Sequence, residues 1–107
     1  MKLLTRAEEL ILLAVWKLKE NAYCIPIREQ LSEITGESWS LGSIYMPLDR
    51  LVNKGYLKSH LSASTPERGG RHKRIYKLTV EGMKALLRVR QVQANMWRDV
   101  PESFRKA

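Results

Sequence analysis

The stretch from Ser40 to Lys54 carries side chains suited to contact with nucleic acid. Ser43, Met46 and Arg50 recur at intervals of three and four residues, which places them on one face of a helix. Arg50 can donate two hydrogen bonds to a guanine edge. The Ser43 hydroxyl can hydrogen-bond to a base or a phosphate, and Met46 can contact a thymine methyl. Ser40 stands at the expected N-cap, and a helix N-terminus favours phosphate. The pattern predicts a helix that enters a DNA groove.

Several side chains of this stretch admit more than one interpretation. Tyr45 lies at the edge of the outer face, where its ring can pack in the core while its hydroxyl reaches a phosphate. Asp49 either accepts a hydrogen bond from cytosine or pairs with a cation such as Arg50, and we favour the pairing. A methionine at helical spacing is also often simply packed. Pro47 lacks a backbone donor and crowds the Ser43 carbonyl, so either the helix kinks there or a new helix begins near it.

A second group of polar residues lies in a turn-rich segment, Ser64–Lys73, which contains the Gly69-Gly70 pair. Basic and titratable side chains gather at its end, namely Arg68, Arg71, His72, Lys73 and Arg74. Such a run taken alone is as often a solvated loop as an interface. Because it follows the helical stretch above, contact with phosphate or with the minor groove is the stronger interpretation.

Composition favours an anionic partner and offers no catalytic or metal-binding set. The chain has 107 residues, which predicts one domain. Its formal charge of +8 favours nucleic acid or an acidic membrane face as the partner, although the charge alone is also compatible with a generally soluble basic protein. The single cysteine, Cys24, excludes an internal disulfide and has no zinc-ligand neighbours. We find no phosphate-binding glycine loop and no nucleophile–base pair, so we expect neither an enzyme nor a cofactor.

The sequence contains no segment that is long enough to span a bilayer. The apolar run Leu10–Trp16 is short and lacks a small-residue cleavage site, so it is not a signal peptide. We therefore expect a cytoplasmic protein without a membrane partner.

The first predicted helix is apolar on every side. Thr5 and Glu8 form a capping box that opens it, and it runs from Arg6 to about Lys19. Every residue of Leu10–Trp16 is apolar, so the helix needs cover all round. The cover is either a second subunit, which we favour, or the rest of the chain's own small domain.

Two shorter helices joined by a tight turn follow. One covers Ile25–Ile34 and ends at Gly36, and the next covers Leu41–Lys54 and ends at Gly55. The predicted core-facing residues are Ile27, Leu31 and Ile34 in the first of these, and Leu41, Ile44, Leu48, Leu51 and Val52 in the other. This order is a helix-turn-helix pattern.

A hairpin and a last helix complete the chain. Alternation at Leu57, Leu61 and Ala63 predicts one strand, and Arg74–Leu78 predicts the returning strand. Thr79 caps a helix over about Val80–Asp99, and the residues after Pro101 form a loose tail. That helix has a stripe of Met83, Leu87, Ala94 and Trp97, and a weaker stripe of Val89, Val92 and Met96. Two stripes require two packing partners.

The predicted fold class is mainly α with a small β-hairpin (α+β). It comprises a winged helix-turn-helix DNA-binding domain over residues 1–79 and a C-terminal dimerisation helix with its tail over residues 80–107, in one compact unit.

With these residues in place, the chain resembles the PadR family of bacterial transcriptional regulators. The resemblance is carried by Leu41–Leu51, Lys54–Leu57, Gly69–Tyr76 and Leu78–Gly82, and it covers roughly Leu4 to Leu87. Two positions depart from the family pattern. Met46 separates the tyrosine from the proline that usually follows it directly, and the segment around Cys24–Pro26 lacks the usual Gly-Tyr-Glu character.

The resemblance implies a homodimer that is joined by the first and last helices and bound to a palindromic operator in double-stranded DNA. It also implies a repressor, which in some members is released by a small effector. Residues on the two joining helices are expected to line the interface or an apolar pocket for an aromatic effector; they are Leu12, Trp16, Val89, Met96 and Trp97. For the tryptophans, interface core is the favoured role. The competing function is a winged-helix protein-interaction module whose basic face docks an acidic partner.

Overall fold

The computed structural model describes residues 2–62 and 72–105. In chain order the elements are α1 (Arg6–Leu18), a 3₁₀ turn (Lys19–Asn21), α2 (Cys24–Thr35), α3 (Leu41–Asn53), β1 (Leu57–Leu61), β2 (Arg74–Leu78), α4 (Val80–Trp97) and α5 (Glu102–Arg105). This order confirms the predicted mainly helical fold with a small hairpin. The predicted loose tail is wrong in part, because its first residues form the short helix α5.

The central helix α1 is opened by the predicted capping box. The Thr5 Oγ1 accepts from the Glu8 N–H at 3.1 Å, and the Glu8 carboxylate accepts from the Thr5 N–H at 2.9 Å. Within the apolar run the chain itself buries most side chains, whereas Leu13 and Trp16 remain exposed. The favoured explanation, a second subunit covering the run, is therefore wrong for most of this helix, and the surface left for a partner is narrow.

The helices α2 and α3 form the predicted helix-turn-helix, with two misplaced side chains. Ile27 and Leu31 are buried as expected, but Ile34 is exposed. At that end of α2 the partly buried Trp39 packs against the core and donates from its Nε1 to Thr35 Oγ1 at 3.0 Å. Leu41 is also exposed, because it is the first residue of α3 and lies outside the packed part of that helix.

Pro47 lies inside a single helix and does not start a new one. The helix α3 runs unbroken from Leu41 to Asn53, and Pro47 is buried with Ile44, Leu48 and Leu51. The proline ring therefore serves the core. Ser43, whose carbonyl would otherwise accept from residue 47, is exposed to water.

The hairpin is fastened to the helices by its backbone. The antiparallel register pairs Leu57 with Leu78 and Leu61 with Arg74. The Tyr76 N–H donates to the Ala22 carbonyl at 2.9 Å, which joins β2 to the end of the 3₁₀ turn. Leu57 and Tyr76 are buried, whereas the predicted inward residue Leu61 is exposed. Ala63 lies outside the described residues.

The last long helix, α4, packs on α1 through a stripe that coincides only in part with the predicted ones. Thr79 caps it as predicted, and its buried residues are Gly82, Ala85, Leu86 and Val89. Leu87, Ala94 and Trp97 of the main predicted stripe are exposed. The prediction named two stripes without choosing which one faces the chain's own core. Val89 of the weaker stripe is buried, and apolar side chains of both stripes remain exposed.

Candidate nucleic-acid interface

The N-terminus of α3 is capped by a reciprocal pair of serines. Ser40 Oγ accepts from the Ser43 N–H at 3.1 Å, and the Ser43 hydroxyl donates to the Ser40 carbonyl at 2.7 Å. Both residues are exposed. The Ser43 hydroxyl proton is thus engaged within the cap, so that this oxygen is left chiefly as an acceptor.

The outer face of α3, which we define as Ser40, Ser43, Tyr45, Met46 and Arg50, is exposed at every position. Met46 has 64% of its surface exposed, so the alternative that it is simply packed is wrong. The structure therefore brings together all the residues that the sequence pattern assigned to this helix.

Tyr45 is held by a contact that the sequence did not reveal. Its hydroxyl lies near the buried Cys24 thiol of α2 and interacts with it electrostatically. The adjacent Cys24 and partial burial raise the pKa of the Tyr45 phenol, while burial raises the pKa of the Cys24 thiol. The phenol is thus neutral, and its ring is half exposed rather than in the core.

Asp49 lies near two tyrosines and not in an ion pair. Its charge contributes to the raised pKa of Tyr76, for which burial is the larger cause, and of Tyr45. Within residues 2–62 and 72–105, no ion pair joins Asp49 to a cation. The favoured pairing with Arg50 is therefore wrong, since adjacent residues on a helix point in different directions.

The described basic residues of the hairpin are held by local contacts at its root, which comprises residues 59–62 and 72–74. Lys73 Nζ lies 4.1 Å from the centre of the Tyr23 ring, and Tyr23 is the N-cap of α2. His72 Nδ1 lies within hydrogen-bonding distance of the Ser62 carbonyl, and Arg74 donates to Ser59 Oγ at 2.9 Å. The predicted residues Arg68 and Arg71 lie outside the described residues.

A buried ion pair joins α1 to the end of α3. Glu8 is 2% exposed, and its Oε2 lies 2.9 Å from Nζ of Lys54, the C-cap of α3. Burial raises the pKa of the Glu8 carboxyl, but hydrogen bonds from Thr5 and Lys54 outweigh it and bring the pKa below its ordinary value. Sequence reasoning missed this pair, because its members are 46 positions apart.

Two of the five residues predicted for a dimer interface or effector pocket lie in the chain's own core. Leu12 is completely buried and Val89 nearly so, which corrects their assignment. Trp16, Met96 and Trp97 are exposed. Trp16 lines a groove of about 460 Å³ between α1 and the hairpin, with Lys19 Nζ 4.4 Å from its ring, and Trp97 does not line this groove.

Residues 2–62 and 72–105 contain no cluster of metal-ligating side chains. No helix in that part of the chain combines the length and apolar character needed to cross a membrane.

Comparison with known proteins gives concordant matches. The model of the transcriptional regulator PadR-like family matches residues 12–88. RosR from H. salinarum is 26% identical with a TM-score of 0.68, over 96% of this chain and 86% of that chain. A PadR family transcription regulator from hypervirulent Clostridium difficile is 27% identical with a TM-score of 0.65, over 95% of this chain and 97% of that chain.

A transcriptional regulator from Clostridium thermocellum has a TM-score of 0.70 at 19% identity, over 85% of each chain, and shares the fold. The comparison with curated proteins gives no match.

Proposed function

Because the chain belongs to the PadR-like family of transcriptional regulators, we propose that it is a dimeric, sequence-specific repressor acting in the cytoplasm. PadR-like regulators bind DNA and catalyse no reaction, which confirms the expectation that the protein is not an enzyme. The observation that carries the proposal is the exposed outer face of α3 in a chain whose hairpin root is basic.

The DNA contacts divide between the two elements. The helix α3 enters the major groove, where Arg50 donates to a guanine edge and the serine cap approaches a phosphate. Lys73, Arg74 and His72 of the hairpin root, together with Arg68 and Arg71, meet the phosphate backbone or the adjacent minor groove. Residues 1–79 form the DNA-binding domain in this proposal.

The second part of the proposal is a homodimer formed by α1 and residues 80–107. Support comes from the exposed apolar side chains Leu87, Met96 and Trp97 on α4 and Leu13 and Trp16 on α1. Large apolar side chains left in water mark protein interfaces when they gather on one surface. A twofold dimer presents two copies of α3 to a palindromic operator.

The third part is release of the operator by an apolar or aromatic effector. Trp97 does not line the groove that Trp16 lines, and in this proposal the two tryptophans form a pocket together with a second subunit. Quenching of tryptophan emission by planar apolar compounds would support such a pocket. A flat response across a broad panel of compounds would leave both tryptophans as interface core.

Binding to random duplex DNA tests the function directly. A DNA-binding dimer is expected to bind at micromolar concentration or tighter, with an affinity that falls steeply as salt increases. No binding at low salt would instead favour a protein-interaction module that docks an acidic partner.

A further inference from the structure

The outer face of α3 has one charged hydrogen-bond donor for reading bases, because Arg50 is the only cation in the sequence of α3. The Ser43 hydroxyl already donates to the Ser40 carbonyl, whereas the Ser40 hydroxyl only accepts from the Ser43 N–H and keeps its own proton. Apolar side chains of this helix are a second means of distinguishing base pairs, because a thymine presents a methyl group in the major groove.

The helix α3 also leaves an unusual amount of apolar surface exposed. Leu41, Tyr45 and Met46 keep 42%, 49% and 64% of their surfaces exposed. Met46 lies one helical turn from Gly42, where an added Cβ would meet nothing nearer than Ser40 Oγ at 4.0 Å. The space at Gly42, one turn before Met46, is therefore open.

Resting on the proposed DNA binding, we propose that Met46 determines specificity by packing against a thymine methyl, beside the base pair that Arg50 contacts. The C5 methyl of thymine is the apolar group that a base pair presents in the major groove. Arg50 follows Met46 by four residues, so the two side chains reach neighbouring base steps from one helix face. Transfer of one methyl from water to an apolar contact corresponds to about a three- to fivefold gain in affinity.

The other exposed apolar residues of α3 are less suited to the role. The Tyr45 hydroxyl lies near the Cys24 thiol of α2, and Leu41 opens the helix in the serine cap, where a phosphate is the favoured neighbour. Met46 combines the largest exposure of the three with an unbranched, adaptable chain that can follow a groove.

The test replaces each thymine of a bound duplex by deoxyuridine, one position at a time, which removes the C5 methyl alone. Wild-type protein is expected to lose about three- to fivefold in affinity at one thymine of each half-site. Met46→Ala and Met46→Gln are expected to bind the thymine and deoxyuridine duplexes equally at that position. Leu41→Ala is the matched control, and its ratio of affinities for the thymine and deoxyuridine duplexes is expected to equal that of wild type. Arg50→Ala is expected to keep the same ratio at a weaker overall affinity.

The outcomes separate this inference from the proposal on which it rests. A wild-type protein that binds no duplex refutes the proposed function. If wild type binds but loses no affinity at any deoxyuridine position, the inference alone is overturned. The same holds if Met46→Ala keeps the full wild-type ratio of affinities for the thymine and deoxyuridine duplexes. Because Met46 is exposed, its replacement is expected to leave the fold intact, which circular dichroism checks.

Discussion

Arg50 is the side chain through which base recognition is most simply tested at the residue scale. We expect Arg50→Ala to relax base preference and to weaken operator binding by about 1–3 kcal/mol, because a bidentate contact to guanine is lost. Arg88→Ala is a matched control, since Arg88 is exposed on α4 and its loss changes net charge equally. Equal affinity losses for the two variants in a gel-shift titration would contradict the assigned role.

Lys73 allows a direct phosphate contact to be separated from a positioning role. Lys73→Ala is expected to weaken binding to all sequences alike and to reduce the salt slope by about one. Tyr23→Leu removes the ring under Lys73 but keeps the charge, so its salt slope should remain that of wild type. We expect Arg71→Ala to behave as Lys73→Ala does. An unchanged slope for Lys73→Ala would mean that this lysine only holds the hairpin root.

Residue roles were predictable where they depend on neighbours along one helix. Helical spacing placed Ser43, Met46 and Arg50 on one exposed face, and the structure agrees. The contact between Tyr45 and Cys24 joins two helices, so it depends on how they cross and not on spacing along either one.

The ion pair between Glu8 and Lys54 fixes α1 to the end of α3 at the scale of elements. We expect Lys54→Met to lower the free energy of unfolding near pH 7 by about 1–3 kcal/mol, because a buried carboxylate loses a charged partner. Lys84→Met, which breaks an exposed pair with Glu81, should cost about 0.5 kcal/mol or less. Denaturant unfolding measures both.

The pH dependence of that difference follows from the lowered pKa of Glu8. A carboxyl whose folded pKa is depressed stabilises the fold above its unfolded value, and the contribution is lost as the pH falls through the folded value. The difference in the free energy of unfolding between wild type and Lys54→Met should therefore become smaller as the pH falls below about 4.5, the ordinary pKa of this group. If this difference in the free energy of unfolding stays constant down to pH 3, the ion pair is excluded as its cause.

Gly82 determines how closely α4 approaches the hairpin. A Cβ added there would overlap the Tyr56 carbonyl and lie 2.7 Å from Leu78 Cδ1. We expect Gly82→Ala to destabilise the fold by about 1–3 kcal/mol despite the better helix propensity of alanine. At Gly42 the space is open, so Gly42→Ala should not destabilise. Thermal unfolding that ranks the two variants in the opposite order would contradict this explanation.

The bounds of the helices could be predicted closely from cap and turn residues, whereas the buried face of α4 could not be predicted from the sequence. Thr5, Ser40 and Thr79 each cap the helix that was predicted to follow them. Periodicity shows that α4 has more than one apolar stripe, but it does not show which stripe packs on α1. That choice depends on the direction in which the hairpin delivers the chain to α4, which is set by tertiary packing.

The whole molecule presents two unlike surfaces, and the proposed twofold dimer uses one of them for DNA and the other for its interface. The face of α3 and the basic hairpin root point to DNA, while Met96 and Trp97 leave apolar surface on the distal part of α4. The dimer arrangement was not predictable in detail, because the sequence gives the apolar stripes of α1 and α4 without the geometry of a second copy.

Selection of bound duplexes from a random pool, followed by footprinting of the selected sites, shows whether the protein binds DNA as a twofold dimer. We expect two inverted half-sites whose centres lie about 34–36 Å apart, or a multiple of that distance, with protection confined to one face of the duplex. No enrichment and no protection at low salt, or enrichment of a single unrepeated half-site, would contradict it.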